Sequence, residues 1–186
     1  MARANSKTGK SGEPDAIALL KADHRQVEEW FEQFEKARDN ARRQKLATQI
    51  CDALKVHAQI EEEIFYPPFL EATKDDDMYQ EALVEHDGAK KLIAEIESAT
   101  PNDDDYKAKV KVLSEMIKHH VKEEEQPGGM FAEARDSDLD LDELGRKLAA
   151  RKAELEGQSD DDSDDTPPSR GERKEGGVGR HMKASR

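Results

Sequence analysis

At 186 residues the chain has room for one domain of ordinary size with tails. Its composition, 39% charged against 34% hydrophobic with five Phe, one Trp and three Tyr, suits an all-α bundle with narrow apolar stripes and long solvated faces. A formal net charge of −13 argues against nucleic acid as a partner, because a phosphate backbone would be repelled over most of the surface.

Residues 1–13 are polar and rich in Ser, Gly and Lys, which predicts a disordered N-terminal tail. The segment carries early basic residues but no apolar core of a secretory signal. Pro14 fits a first helical position, and Asp15 opens a strong pattern. Ile17, Leu20, His24, Val27, Phe31 and Phe34 recur at steps of three and four, so a first amphipathic helix is expected to end near Asn40. The second helix is expected from about Arg43 to Phe65, with the stripe Ala47, Ile50, Leu54, His57, Glu61 and Ile64. Pro67 and Pro68 remove two backbone donors and should end or kink it. Cys51, the one cysteine, excludes an intramolecular disulfide framework, reads as a small core or boundary residue, and fits a reducing compartment.

Asp75, Asp76 and Asp77 favour the start of a third helix, whose stripe is Ala82, His86, Ala89, Ile93 and Ile96. A loop at Thr100–Asp103 precedes a fourth, carrying Tyr106, Val110, Leu113, Ile117, His120 and Glu124. Pro127-Gly128-Gly129 breaks that pattern. A short fifth helix around Leu139 to Leu155 would cover an end of the bundle through Leu141, Leu144 and Leu148. From Gly157 on, almost nothing is apolar, which predicts a disordered tail. Short connections favour antiparallel neighbours, so the expected architecture is an up-down antiparallel four-helix bundle over residues 14–156, with tails at 1–13 and 157–186. No apolar run approaches the length that spans a bilayer, and a cytoplasmic protein without a membrane partner is expected.

The two halves repeat. His24 and His57 are separated by 33 residues, His86 and His120 by 34, and the second histidine of each pair is followed at i+4 by a glutamate, Glu61 or Glu124. All four histidines lie within the apolar stripes. A lone histidine there is usually a core residue with one hydrogen bond, and a metal-free bundle would bury all four that way. Two buried glutamates in register change the balance, because a buried carboxylate is costly unless paired or bound to a cation. Apart from Lys90, the stripes offer no Lys or Arg to pair with them. Six N and O donors are too many for one tetrahedral zinc, and imidazole with carboxylate suits iron or manganese. Two metals about 3.5–4 Å apart, bridged by carboxylate and a solvent oxygen, would use all six.

Other motifs are absent or incomplete. The residues three before each histidine are never Glu, which excludes the Glu-x-x-His signature of ferritin-type bundles, and there is no His-Glu-x-x-His. Asp136, Asp138 and Asp140 mimic an EF-hand opening, but Leu141 and Lys147 occupy the positions of its Gly and Glu. Trp30 and Tyr66 read as packing residues. His119 lies on a neighbouring row and reads as a supporting or surface residue.

The segments DAIALLKADHRQVEEWF, KVHAQIEEEIFYP, EHDGAKKLI and IKHHVKEEE resemble the four helices of the hemerythrin-like, HHE cation-binding family, over roughly residues 14–135. The resemblance implies a non-haem di-iron centre, two iron ions with a bridging oxo or hydroxo group, held by His24, His57, Glu61, His86, His120 and Glu124. It implies binding of O2 or a related small oxidant. Alternatives on the same scaffold are an enzyme acting on peroxide or nitric oxide, or an iron- or oxygen-sensing or iron-handling protein that signals to a partner through its acidic tail. Oxygen carriers of the family have another histidine one turn after the third-helix histidine, where this chain has Lys90. One metal is therefore expected to lack a protein ligand, the place being filled by water, Glu28 or Glu62. Phe31, Ile64, Ile93 and Ile117 are expected to limit water access.

Overall fold

A computed structural model describes Gly12 and residues 14–161, with side chains as far as Gly157. Most of the two segments expected to be tails therefore lies outside the described residues. Every regular element among the described residues is helical: α1 (Ala16–Lys36), α2 (Asn40–Ile60), a π-helical turn (Glu61–Phe65), α3 (Tyr66–Thr73), α4 (Asp76–Glu97), α5 (Tyr106–Glu125), α6 (Met130–Asp136) and α7 (Leu141–Asp161). α1, α2, α4 and α5 form the antiparallel bundle. α7 packs along α1 and α2, and α6 packs against α5 and α3.

Capping chemistry sets the helix starts. Asp15, Asp39 and Asp75 each accept from the backbone N–H three residues on, at 2.7, 2.8 and 2.9 Å. Pro14 consequently lies outside α1, ahead of its cap, instead of at a first helical position. α1 also stops at Lys36, short of Asn40, because Asp39 is already committed to α2. Asp140 caps α7 by accepting from Glu143 N–H at 2.9 Å. α7 runs to Asp161, past the expected domain end, and α6 is an element the sequence reading did not include. Gly145 lets α7 cross the start of α1 closely, since a Cβ there would lie 2.6 Å from Pro14 O.

The prolines do not end the second helix. The extra residue of the π turn lets Tyr66 N–H reach back five residues to Glu61 O, and Pro67 and Pro68 then sit in the first turn of α3, where a missing N–H is tolerated. The same insertion rotates the inward face. Ile64, expected inside, is half-buried, while Phe65, Tyr66 and Phe69 are fully buried.

Two apolar clusters result. One contains Ile17, Leu20, Ile60, Phe65, Phe69, Met130, Phe131 and Leu148. The other contains Phe31, Phe34, Ile50, Leu54, Ile93, Tyr106 and Leu113. Cys51 is buried in the second, and burial pushes its thiol up to about 12. Along α1, α2 and α4, the histidine falls between residues of one cluster and residues of the other, and on α5 His120 follows the residues of the second cluster. A polar layer therefore crosses the middle of the core.

Candidate metal centre

That layer consists of His24, His57, Glu61, His86, His120 and Glu124, all six at most 6% exposed. They are the six residues expected from the sequence, and the bundle brings them together. His24 Nε2 and His57 Nε2 are 3.0 Å apart, and His86 Nε2 and His120 Nε2 are 3.2 Å apart. Glu61 Oε2 links the two pairs, 3.2 Å from His57 and 3.5 Å from His86. Glu124 does the same with two oxygens, Oε2 at 3.3 Å from His24 and Oε1 at 3.7 Å from His120. Two adjacent donor sets follow: His24, His57, Glu61 and Glu124, and beside them Glu61, His86 and His120.

A second ring of carboxylates stands behind the histidines. Glu125, Glu62 and Glu85 lie 2.8 Å from Nδ1 of His24, His86 and His120. Asp23 is 3.5 Å from His57 Nδ1, too long for a formed bond, and that nitrogen has no hydrogen-bond partner. Each outer carboxylate is in turn held by a cationic or imidazole group: Glu125 by Lys21 and Arg25, Asp23 by Lys152, Glu62 by Lys90, and Glu85 by His119. Lys90 donates to both Glu62 oxygens at 2.6 Å. It thus acts on His86 through Glu62, which is turned to Nδ1 and away from the Nε2 cluster. Glu28 pairs with Arg25 on the surface. Neither carboxylate suggested for the remaining ligand position faces the centre. His119 is 60% exposed while His120 points inward.

This geometry creates an electrostatic problem. An ionised carboxylate only accepts, so the Nδ1 atoms facing Glu125, Glu62 and Glu85 carry the hydrogen. The corresponding Nε2 atoms of neutral rings then present lone pairs to one another and to two further carboxylates. Glu61 Oε1 and Glu124 Oε2 have no hydrogen-bond partner at all. Such a donor-poor cage is stable only if cations enter it, as protons or as metal ions. Burial opposes charge on the His57 ring, but the carboxylates of Glu61, Asp23 and Glu124 together outweigh it and raise His57 to about 10. Burial likewise opposes charge on His120, and Glu124 with Glu85 raises it to about 9. Burial alone would raise Glu61, yet His57 and His86 hold it well below the usual carboxylate range. The donor set therefore suits metal cations: imidazole nitrogens and carboxylate oxygens converge, with carboxylates orienting the rings from behind.

Besides the outer carboxylates, two further participants were not read from the sequence as part of the site. Tyr66, assigned to packing, places its hydroxyl 3.2 Å from Glu124 Oε1 and 3.4 Å from both Glu61 Oε2 and His86 Nε2. Burial and the two carboxylate charges raise its phenol well above the ordinary value, so it stays protonated and donates. The signal lay in the π turn, which brings position i+5 from Glu61 onto the glutamate's face. Phe131 of α6 stacks on His24 at 5.9 Å between ring centres. A cavity of about 20 Å³ lies on the other side of the imidazoles, against Val27, Leu54, Ala89 and Ile93. Phe31 and Ile93 are buried as expected, whereas Ile117 is half-buried and Ile64 lies toward the other cluster.

Fold and site together define a class: a helical bundle with a buried histidine–glutamate layer suited to binding metal cations. The chain belongs to the family described as hemerythrin HHE cation binding domain, whose model matches residues 15–127. It is 29% identical over 119 residues to a DNA nickase from Nostoc sp., a match covering 64% of this chain and 33% of that protein. The chain thus spans about a third of that relative's length. Its fold is similar to that of a hemerythrin HHE cation binding domain-containing protein from Mycobacterium kansasii, with a TM-score of 0.67, 22% identity, and coverage of 78% of this chain and 90% of the other. No helix among the described residues is long and apolar enough to cross a membrane.

Proposed function

We propose that this chain is a non-haem di-iron protein that binds O2 or a related small oxidant, with His24, His57, Glu61, His86, His120 and Glu124 as the metal ligands. The observation that carries the reading is the cage itself, in which Nε2 atoms 3.0 and 3.2 Å apart converge with the carboxylates of Glu61 and Glu124, each of which keeps one oxygen without a hydrogen-bond partner. Two irons with a bridging oxo or hydroxo group would supply redox chemistry and a Lewis-acid position there.

The chain's own residues would do the rest. Glu61 and Glu124 bridge the two halves, and the outer carboxylates lock three of the rings with Nδ1 protonated. Four histidines leave one position without a protein ligand. The 20 Å³ cavity beside Ala89 and Lys90 is large enough for a water-sized guest and apolar on its outer side. That combination favours a small uncharged ligand over bulk water. In this reading the protein works in a reducing, cytoplasmic setting, with Cys51 kept as a buried free thiol.

The Tyr66 hydroxyl favours a second reading, an enzyme consuming peroxide or nitric oxide, because reduction needs a proton donor beside the centre. Nucleic-acid nicking, the activity named for the Nostoc relative, is not part of the proposal. The shared segment is a third of that protein, and this chain's charge of −13 opposes a phosphate backbone.

The test is metal content per chain, measured with the near-ultraviolet and visible spectrum in air and after anaerobic reduction. About two irons per chain, with oxo-to-iron charge-transfer bands that vanish on reduction and return with oxygen, are expected. A single zinc, or no bands after iron loading, overturns the proposal. Turnover of peroxide or nitric oxide by the loaded protein, lost in Tyr66→Phe, would select the enzymatic reading.

A further inference from the structure

Outside the buried layer, a further imidazole meets two carboxylates on the outer side of α4 and α5. His119 Nε2 is 3.4 Å from Glu85 Oε1 and 3.3 Å from Glu123 Oε1. One ligand atom from each of the three lies within 4.8 Å of the others. Separations near 3 Å are those of neighbouring ligands around a six-coordinate ion with bonds of about 2.1 Å. Side-chain exposures of 60% for His119, 31% for Glu123 and 19% for Glu85 leave the group open to solvent.

A second observation makes this more than a surface ion pair. Glu85 and Glu123 line a groove of about 240 Å³ whose wall also holds Asp75, Asp77 and Glu81, with no Lys or Arg in its lining. The same groove is lined by His120 and by Glu124, two of the buried donors, which are 4% and 2% exposed. Glu85 connects the two levels, with Oε1 toward His119 and Oε2 on His120 Nδ1. An anionic cleft with low-dielectric walls concentrates cations, and this one is lined both by the outer carboxylates Glu85 and Glu123 and by two of the buried donors.

We propose that Glu85, His119 and Glu123 form a mononuclear site for a divalent cation such as Fe2+ or Mn2+, through which metal enters the acidic groove on its way to the buried layer. One imidazole and two carboxylates suit such ions, and only three protein ligands leave positions for water, so the ion binds exchangeably. The transit role rests on the di-iron reading; the outer site does not.

The test is to titrate Mn2+ into the full-length, iron-loaded protein and follow the free ion by electron paramagnetic resonance. The wild type should retain about one Mn2+ per chain. Glu123→Gln leaves the Glu85–His120 bond intact and should weaken retention at least about tenfold, as loss of a charged ligand does, with iron content unchanged. Anaerobic uptake of Fe2+ by chelator-stripped protein should be about tenfold slower in Glu123→Gln, with the same final content. No Mn2+ retained, or equal retention in Glu123→Gln, overturns the site; equal uptake rates overturn the transit role. If the wild type takes up no iron at all, the di-iron reading fails by itself, and the Glu123 dependence of Mn2+ binding to the metal-free chain still decides the outer site.

Discussion

Replacing Glu61 by Gln tests whether the polar layer exists for metal or for internal ion pairing. Glu61 is fully buried, its Oε2 lies 3.2 Å from His57 and 3.5 Å from His86, and its Oε1 has no hydrogen-bond partner. The amide keeps the volume, removes the charge shared by both donor sets, and presents an N–H2 donor where metal ions need a lone pair. In the chelated protein two effects oppose each other. Losing the Glu61 partner of the His57 ring costs about 3–5 kcal/mol, and relief of a desolvated carboxylate returns several kcal/mol. The net change should stay within about 2 kcal/mol, or about 4–8 °C in Tm for a domain of this size. The loaded protein behaves differently. A metal at a hundredfold excess over its Kd stabilises by about 2.7 kcal/mol per site, so wild type should gain about 5–11 °C per site. Glu61→Gln should lose that gain at the same metal concentration. The assay is thermal unfolding by circular dichroism, in chelator and in added Fe2+ under anaerobic conditions. A variant that keeps the full metal-dependent shift, or a wild type that shows none, refutes the reasoning.

Lys90→Met should keep the fold but free Glu62 from its 2.6 Å contacts and loosen His86, lowering metal affinity about 10–100-fold in competition with a chelator. Glu62→Gln should give a similar loss, and the double variant should not sum the two. His57 at about 10 and His120 at about 9 are both raised above an ordinary value of about 6.5, so their contribution to the metal-free protein is complete below that pH. It should vanish as pH rises through 9 to 10, so the Tm of chelated protein falls over that window while loaded protein changes less. Metal loading should release protons near neutral pH, read as a buffer-dependent heat in calorimetry. Tyr66→Phe should cost the fold only about 1 kcal/mol and leave metal content unchanged. Its effect should appear in the rate at which the reduced centre is re-oxidised by air, followed in the visible spectrum.

Much of the fold was readable because each long helix carries a stripe with one period. Ile17 to Phe34, and Tyr106 to Glu124, repeat at three and four without interruption, and aspartates at 15, 39 and 75 supply caps where the stripes begin. The six inward polar residues were readable for the same reason. A histidine or glutamate that falls on an apolar stripe must be buried, whatever its neighbours turn out to be.

Where the period slips, the sequence was silent. The π turn at Glu61–Phe65 moves the inward face from Ile64 to Phe65 and Tyr66, and that one-residue insertion is what carries the Tyr66 hydroxyl into the centre. α6 is seven residues long, too short to display a helical period, yet it supplies Phe131 against His24.

The sequence by itself determined which residues would be buried, because burial follows from periodicity along one helix. Only the tertiary structure decided which atoms would meet. Asp23, Glu62, Glu85 and Glu125 look like solvated charges among many in a chain with 43 acidic residues. Their selection depends on the rotation and axial offset of one helix against the next. Those are set by packing across the two apolar clusters, through contacts between residues 24 to 101 positions apart.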